Sequence, residues 1–222
     1  MLKAVAQSTR SRSAPKAAPA AHGRRNQPVA TKQRIVEAAL TTLKREGFAN
    51  TSARVIAATG GFNQALIFYH FGTLNDLLLA ALDATSERRL QRYRELLADV
   101  RDLSQLVHVM RELYAEDMMD GHITAVLEMA GGSSSSTALG HAVVQRMFPW
   151  VDLAEEVATR LLAGSPFQDL VPARDLAFAA VALYFGVETV THLDGDRSPA
   201  LSLFESGSRL AAMFDGLFSH PR

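Results

Sequence analysis

Apolar residues recur at helical spacing through almost every foldable segment of this 222-residue chain, and no stretch sustains strand-like alternation closed by a hairpin turn. That periodicity restricts the chain to an all-α fold. About nine helices are expected, over residues 32–46, 52–59, 63–70, 73–100, 103–119, 121–130, 137–163, 172–193 and 199–218. The Gly131, Gly132 and Ser133–Ser136 run reads as a flexible connection between the sixth and seventh of these.

The first 28 residues stand apart. They mix Ala, Pro, Ser, Gln and basic residues without hydrophobic periodicity, and they read as a disordered arm over 1–28. They lack the apolar run of a secretory signal. Of the 23 basic residues in the chain, eight lie within positions 1–34, where no acidic residue occurs. The remainder therefore holds 15 basic against 23 acidic residues, so a net charge of zero conceals a basic end suited to a polyanion. Such an arm is expected to follow a phosphate backbone or enter a minor groove.

Several function classes are disfavoured at once. The chain has no cysteine, which removes disulfides, thiolate metal ligands and cysteine nucleophiles and fits a reducing cytoplasm, the expected location. The longest strongly apolar run, Leu176 to Val187, is twelve residues and too short to span a bilayer, so no membrane partner is expected. No G-x-S-x-G elbow or glycine-rich phosphate loop is present, and His70, His108, His122, His141 and His192 show no close metal-ligand spacing. Neither an enzyme nor a cofactor or metal is indicated.

The segment after the arm carries the most specific signal. Thr31 can cap a first helix whose inner face is Ile35, Ala38, Ala39 and Leu43, and Gly47 supplies a left-handed stop. A second short helix, with Val55, Ile56 and Ala58 inward, ends at Gly60–Gly61, and Asn63 then caps a third. Thr73, with Asp76 three residues on, opens a long fourth helix in which Leu74, Leu77, Leu78, Ala81 and Leu82 share a face. Two short helices joined by a glycine turn make a helix-turn-helix. The third helix starts with uncharged hydrogen-bonding residues, which suits it to a major groove about 12 Å wide. Gln64 can pair with adenine and Ala65 or Leu66 can touch a thymine methyl, each good contact giving about 1–3 kcal/mol of discrimination.

Residues 34–79, RIVEAALTTLKREGFANTSARVIAATGGFNQALIFYHFGTLNDLLL, resemble the TetR family of one-component regulators without a gap. The resemblance rests on the order of AAL, EGF, IA, the Gly-apolar-Asn turn, YHF and the following leucines. It implies a helix-turn-helix domain over 29–75 and a ligand-binding and dimerisation domain over 76–222. It also implies phosphate contacts at Thr51, Ser52, Arg54, Tyr69, His70 and Thr73, beside base readout from Asn63, Gln64, Ala65 and Leu66, with Phe68 on the same surface. His70 has a competing role as a packing residue beside Phe71. Leu66, Phe68 and Leu74 stand where the family commonly has Thr, Tyr and Lys, so three phosphate contacts are missing.

Beyond residue 80 the resemblance weakens and the reading rests on architecture. The family builds its dimer from its last two helices, which implies an interface at Phe185, Gly186, Leu203, Gly207, Leu210, Phe214 and Leu217. The last five of these step by four, three, four and three, a helix-packing seam. A largely apolar small-molecule effector is implied among the central helices, with Met110, Tyr114, Met118, Met129, Phe148, Trp150, Phe178 and Tyr184 as candidate lining and Met147 and His192 nearby. The functional expectation is a homodimeric repressor released from a near-palindromic double-stranded DNA operator by its ligand. The alternative is a helical sensor of the same fold whose DNA binding is weak or lost.

Overall fold

The computed structural model describes residues 23–133 and 136–218, with the side chains of 23–28 and 218 left aside. Every regular element among them is helical. In order these are α1 (Gly23–Glu46), α2 (Ala53–Gly60), α3 (Ala65–Phe71), α4 (Leu74–Leu97), α5 (Leu103–Asp120), α6 (His122–Gly132), α7 (Thr137–Gln145), α8 (Phe148–Leu162), α9 (Ala173–Asp194) and α10 (Ser198–Phe218). The all-α expectation holds, and three boundaries change.

First, α1 starts at Gly23, so Thr31 lies inside the helix and residues 23–28 are helical. The stretch Arg24-Arg25-Asn26-Gln27 contains no glycine or proline that would end a helix. The rest of the expected arm, 1–22, lies outside the described residues. Second, the single helix expected over 137–163 is two, because Pro149 cannot donate to a carbonyl four residues back. It starts α8 in the first turn, where that donor is dispensable. Third, Gly131 and Gly132 belong to α6, and a Cβ on Gly132 would come within 2.3 Å of the Phe48 ring. Ser136 accepts from Leu139 N and caps α7, while Ser134 and Ser135 lie outside the described residues.

Two hydrophobic cores organise the chain. The first joins Ile35, Ala39 and Leu43 of α1 to Ile56 of α2, Ile67 of α3 and Leu77, Leu78, Ala81 and Leu82 of α4. It also takes in Ala125 and Met129 of α6 and Leu139 and Val143 of α7, so the head and the body share one apolar interior. The second core joins Leu90, Tyr93 and Leu97 of α4 to Leu113 of α5 and Leu153 and Val157 of α8. The 24 residues of α4, about 36 Å of helix, thus run from one core into the other.

Polar bonds fix the same joint. Phe48 N donates to Glu128 Oε2 at 2.7 Å, and Lys44 Nζ donates to the Asp120 carbonyl at 2.6 Å. At the far end, α10 lies on α5, and its Asp215 carboxylate accepts from Leu103 N, Ser104 N and the Ser104 hydroxyl at 3.1, 2.9 and 2.6 Å. These bonds satisfy donors at the start of α5 that would otherwise be orphaned.

By length and composition α9 qualifies as long and apolar enough to cross a membrane. The twelve-residue limit read from the sequence stopped at Glu188, but the helix continues through Thr189, Val190 and Thr191. Glu188 itself is buried. Along α9 and α10 an apolar surface faces outward, with Phe178, Leu183, Val190, Leu193, Leu210, Met213 and Leu217 all more than half exposed.

Candidate DNA-binding surface and effector cavity

The recognition helix is held by its turn. Gly61 has φ +64, a left-handed conformation that glycine adopts without strain, and its N–H closes on the Ala58 carbonyl. A Cβ on Gly60 would meet the Phe62 ring at 2.2 Å and Ala38 Cβ at 2.8 Å, so this glycine lets α2 lie against α1. Arg34 of α1 donates to the Gly60 carbonyl at 3.1 Å and braces the turn from outside. Asn63 caps α3 as expected, its Oδ1 accepting from Ala65 N at 2.9 Å.

Asn63, Gln64 and Ala65 are exposed at the tip of α3, with Phe68 half-exposed and Tyr69 82% exposed on the same side. Ile67 on the opposite face is fully buried and anchors the helix. Arg54 is exposed on α2 and borders one shallow recess with Asn63 and Gln64. Ser52 caps α2 by accepting from Val55 N, and Thr73 caps α4 by accepting from Asp76 N at 3.1 Å. Each of these hydroxyls is engaged by its own helix start.

Four expectations differ from the structure. Thr51 is buried and donates its hydroxyl to the Gly47 carbonyl at 2.6 Å, so it closes the turn after α1 and faces no outer partner. Leu66 and Leu74 are half-buried against the head core, which gives them a packing role. His70 is half-buried, edge-on to both Tyr69 and Phe71. In α2 the inner residues are Ile56 and Ala57, with Ala58 outside. The stop at Gly47 is as expected, with φ +75 and its N–H on the Leu43 carbonyl.

The body holds a cavity of about 590 Å³ bordered by α4 through α10, lined mostly by aliphatic side chains. Met110, Met147, Trp150 and Tyr184 line it as the sequence suggested. The other candidates lie elsewhere. Met129 is in the head core, Phe148 and Phe178 point outward, and Tyr114 is buried with its hydroxyl donating to Thr191 at 2.9 Å. Met118 and His192 are not in the lining. Of the expected interface residues, Phe185, Leu203 and Gly207 border the cavity. Phe214 packs on Phe167, while Leu210 and Leu217 face outward, so the seam is the edge between an inner and an outer face of α10.

A buried polar network borders this cavity, and of its members only Tyr184 was expected from the sequence, while Arg89, Tyr93, Asp117 and Glu188 were not. Arg89 pairs with Asp117 and with Glu188, the latter at 3.2 Å, and its guanidinium lies 5.6 Å from the Trp150 ring centre. Tyr93 donates to Asp117, Tyr184 donates to Asp117 at 3.0 Å, and the two tyrosine hydroxyls are 2.9 Å apart. Burial would lower the Arg89 pKa, but Asp117 and Glu188 outweigh it and hold the guanidinium charged. Burial pushes both tyrosine hydroxyls up and Glu188 up to about 8. His122 is pushed down to about 2 by burial, with Arg89 and Lys44 adding to the effect, so its ring is neutral. The signal was available: Leu78, Leu82, Thr85 and Arg89 lie on one stripe of α4, which places a charge on a core face.

A pH dependence follows. Unfolded His122 takes up a proton below its ordinary pKa of 6.5 while the folded ring does not, so its contribution to stability falls as pH drops below about 6.5. Glu188 acts in the opposite sense, because its folded pKa is raised. Its contribution is complete below its unfolded pKa and is lost as pH rises towards about 8. His122→Asn, titrated beside the wild type, is therefore expected to gain relative stability by about 1.4 kcal/mol per pH unit below 6.5. Denaturant melts at pH 7.5 and 5.0 read the difference, about 2 kcal/mol. A constant offset between the two proteins would contradict the assignment.

A short exposed helix on a glycine turn, set on a helical body with an internal cavity, is the architecture of a helix-turn-helix regulator. Residues 35–81 match the family described as bacterial regulatory proteins, tetR family. That match covers the N-terminal head, and the fold of the whole chain is shared with solved transcriptional regulators. The chain is similar over its length to a transcriptional regulator from Pseudomonas aeruginosa PAO1, with 26% identity, 86% of this chain and 91% of that one covered, and a TM-score of 0.67. FadR from Bacillus subtilis in complex with stearoyl-CoA shares the fold at 15% identity, covering 81% of this chain and 96% of its own, with a TM-score of 0.65. A Saccharomonospora viridis regulator in complex with choline does so at 22% identity, 85% and 96% coverage and a TM-score of 0.63. No curated protein sequence matches the chain. Among the described residues no group of His, Asp and Glu side chains is placed to hold a metal ion.

Proposed function

We propose that the chain is a homodimeric, cytoplasmic transcriptional repressor that reads a near-palindromic operator with α3 and is released from it by a small molecule held in the body cavity. The observation that carries this reading is the exposed tip of α3, where Asn63, Gln64, Ala65 and Tyr69 face outward beside Arg54 while Ile67 anchors the opposite face. Gln64 supplies base readout, and Arg54 and Tyr69 hold the phosphate rails. The outward apolar surface of α9 and α10 is the place for the second copy, so that two heads present their tips about one DNA turn, roughly 34–36 Å, apart.

The cavity supports a route for release. Leu82 of α4, Ile123 and Val126 of α6 and Val143 of α7 border it, and the same helices build the head core. A ligand that favours one spacing of these helices shifts the head through α4 and through the bonds from Phe48 to α6 and from Lys44 to the end of α5. A complete cavity wall with a fully packed head is what such coupling requires.

The competing reading, a sensor without DNA affinity, draws on the packing role of Leu66 and Leu74. Gel retardation with the promoter region beside its own gene separates the two. Sequence-specific retardation is expected from the wild type. Gln64→Ala should relax specificity by about 1–3 kcal/mol, and Tyr69→Ala should weaken binding, both at unchanged melting temperature. Absence of specific retardation by the wild type would leave only the sensor.

A further inference from the structure

We propose that the cavity takes an elongated, uncharged apolar molecule with one hydroxyl or carbonyl oxygen, and that this oxygen seats between Arg89 Nε and His122 Nδ1. This rests on the reading of the cavity as an effector site and specifies what it recognises.

Both residues line the cavity, both are more than nine-tenths buried, and these two atoms have no hydrogen-bond partner among the described residues. Buried polar atoms are almost always satisfied, so a pair of orphans on one wall of a cavity marks where a ligand atom belongs. They flank Trp150, with Arg89 over its indole face and the His122 ring centre 6.4 Å from it, so the oxygen enters beside an aromatic surface. Most of the remaining wall is apolar, which suits a chain or ring system, and of its further polar side chains Tyr93, Tyr184, Glu188 and Arg146 already have partners, leaving Ser86.

The charge balance selects an uncharged head. Arg89 Nε–H is a donor, so an ammonium group has no place against it. The other side of that guanidinium is already taken by Asp117 and Glu188, and a ligand carboxylate would add a third acid where burial already disfavours the charge of Glu188. A neutral imidazole can donate or accept at Nδ1. A hydroxyl can therefore accept from Arg89 and donate to His122, and a carbonyl can accept from both.

Trp150 is the only tryptophan in the chain and reports occupancy directly. The full-length protein would be titrated with 1-decanol, 2-decanone, decane, decanoate and decylammonium at pH 7, following Trp150 fluorescence. His122→Leu is expected to weaken 1-decanol and 2-decanone by about tenfold and decane by less than about twofold, the loss of one net hydrogen bond. His122→Asn, which keeps a polar atom near the Nδ1 position, should restore most of the difference. On the wild type alone, the infrared carbonyl stretch of bound 2-decanone should lie below its value in hexane. Several results would overturn the seat while leaving the cavity an effector site: a hexane-like stretch, equal losses for decane and decanol, or tightest binding of decanoate or decylammonium. No fluorescence response to any probe would overturn the cavity reading itself.

Discussion

Arg89→Met is expected to cost the fold about 3–5 kcal/mol, the largest effect of any single polar substitution in the body. Among the described residues Arg89 is the one cation that contacts Asp117 and Glu188, and both contacts are nearly dry, with side-chain exposures of 8% for Arg89 and 4% and 6% for its partners. Removing it leaves two acids facing each other out of water. Glu188 can escape by protonation, since burial already raises it to about 8, whereas Asp117 stays between the hydroxyls of Tyr93 and Tyr184. For a chain of this length the loss corresponds to about 2–4 °C per kcal/mol, so the melting point should fall by roughly 10 °C. Adding Asp117→Asn to Arg89→Met should recover more than half of the loss, because the penalty lies in the stranded charge rather than in the missing contact. A double variant no more stable than the single one would show that packing against Trp150 is the larger contribution of Arg89.

The same network shows where the sequence stops being legible. The head could be read residue by residue because its determinants are local: Gly47 and Gly61 at positive φ, Asn63 and Thr73 as caps, and an apolar stripe from Ile35 to Leu43. Each acts within a few positions of itself. Thr51 escaped the reading because its choice between a phosphate and the Gly47 carbonyl depends on how the turn folds back. The body is built from partners far apart in the chain, such as Arg89 with Glu188 and Phe48 with Glu128, and no periodicity announces them. Aromatic residues and methionines were poor guides to the cavity for a related reason. Phe178 and Phe148 look like core residues on a helical wheel, yet they face outward on α9 and α8. The start of α1 was misplaced because Thr31 is a good cap in isolation, and a capping signal says nothing about whether the preceding turns also stay helical.

The polar network lies beside the cavity and along the helix that joins the two cores. Arg89 and Tyr93 sit on the half of α4 that enters the body, while Leu77 and Leu78 sit on the half that carries the head. A ligand oxygen at Arg89 Nε would act on the helix that links the two cores, one turn or two from the joint. Coupling then needs no long path, only two spacings of α4 against α6 with different ligand affinity.

Val190→Glu together with Leu210→Glu is expected to give a monomer and to lower operator affinity by about a hundredfold or more. Both residues are more than 60% exposed on the outward surface of α9 and α10, and neither borders the cavity. A charge at each costs little in an isolated chain, where the site faces water, and much where a second copy covers it. The variant should keep its helicity and its Trp150 response to 1-decanol, since Ala177, Glu188 and Thr191 hold the inner side of α9 independently. One head engages half of a palindrome, and linking two converts the second engagement into an intramolecular step, which is why losing the partner acts so strongly on affinity. Sedimentation equilibrium reads the mass and gel retardation reads the affinity. A double variant that sediments as a dimer would move the interface off this face, and a monomer that still binds the full operator at wild-type strength would mean that one head suffices.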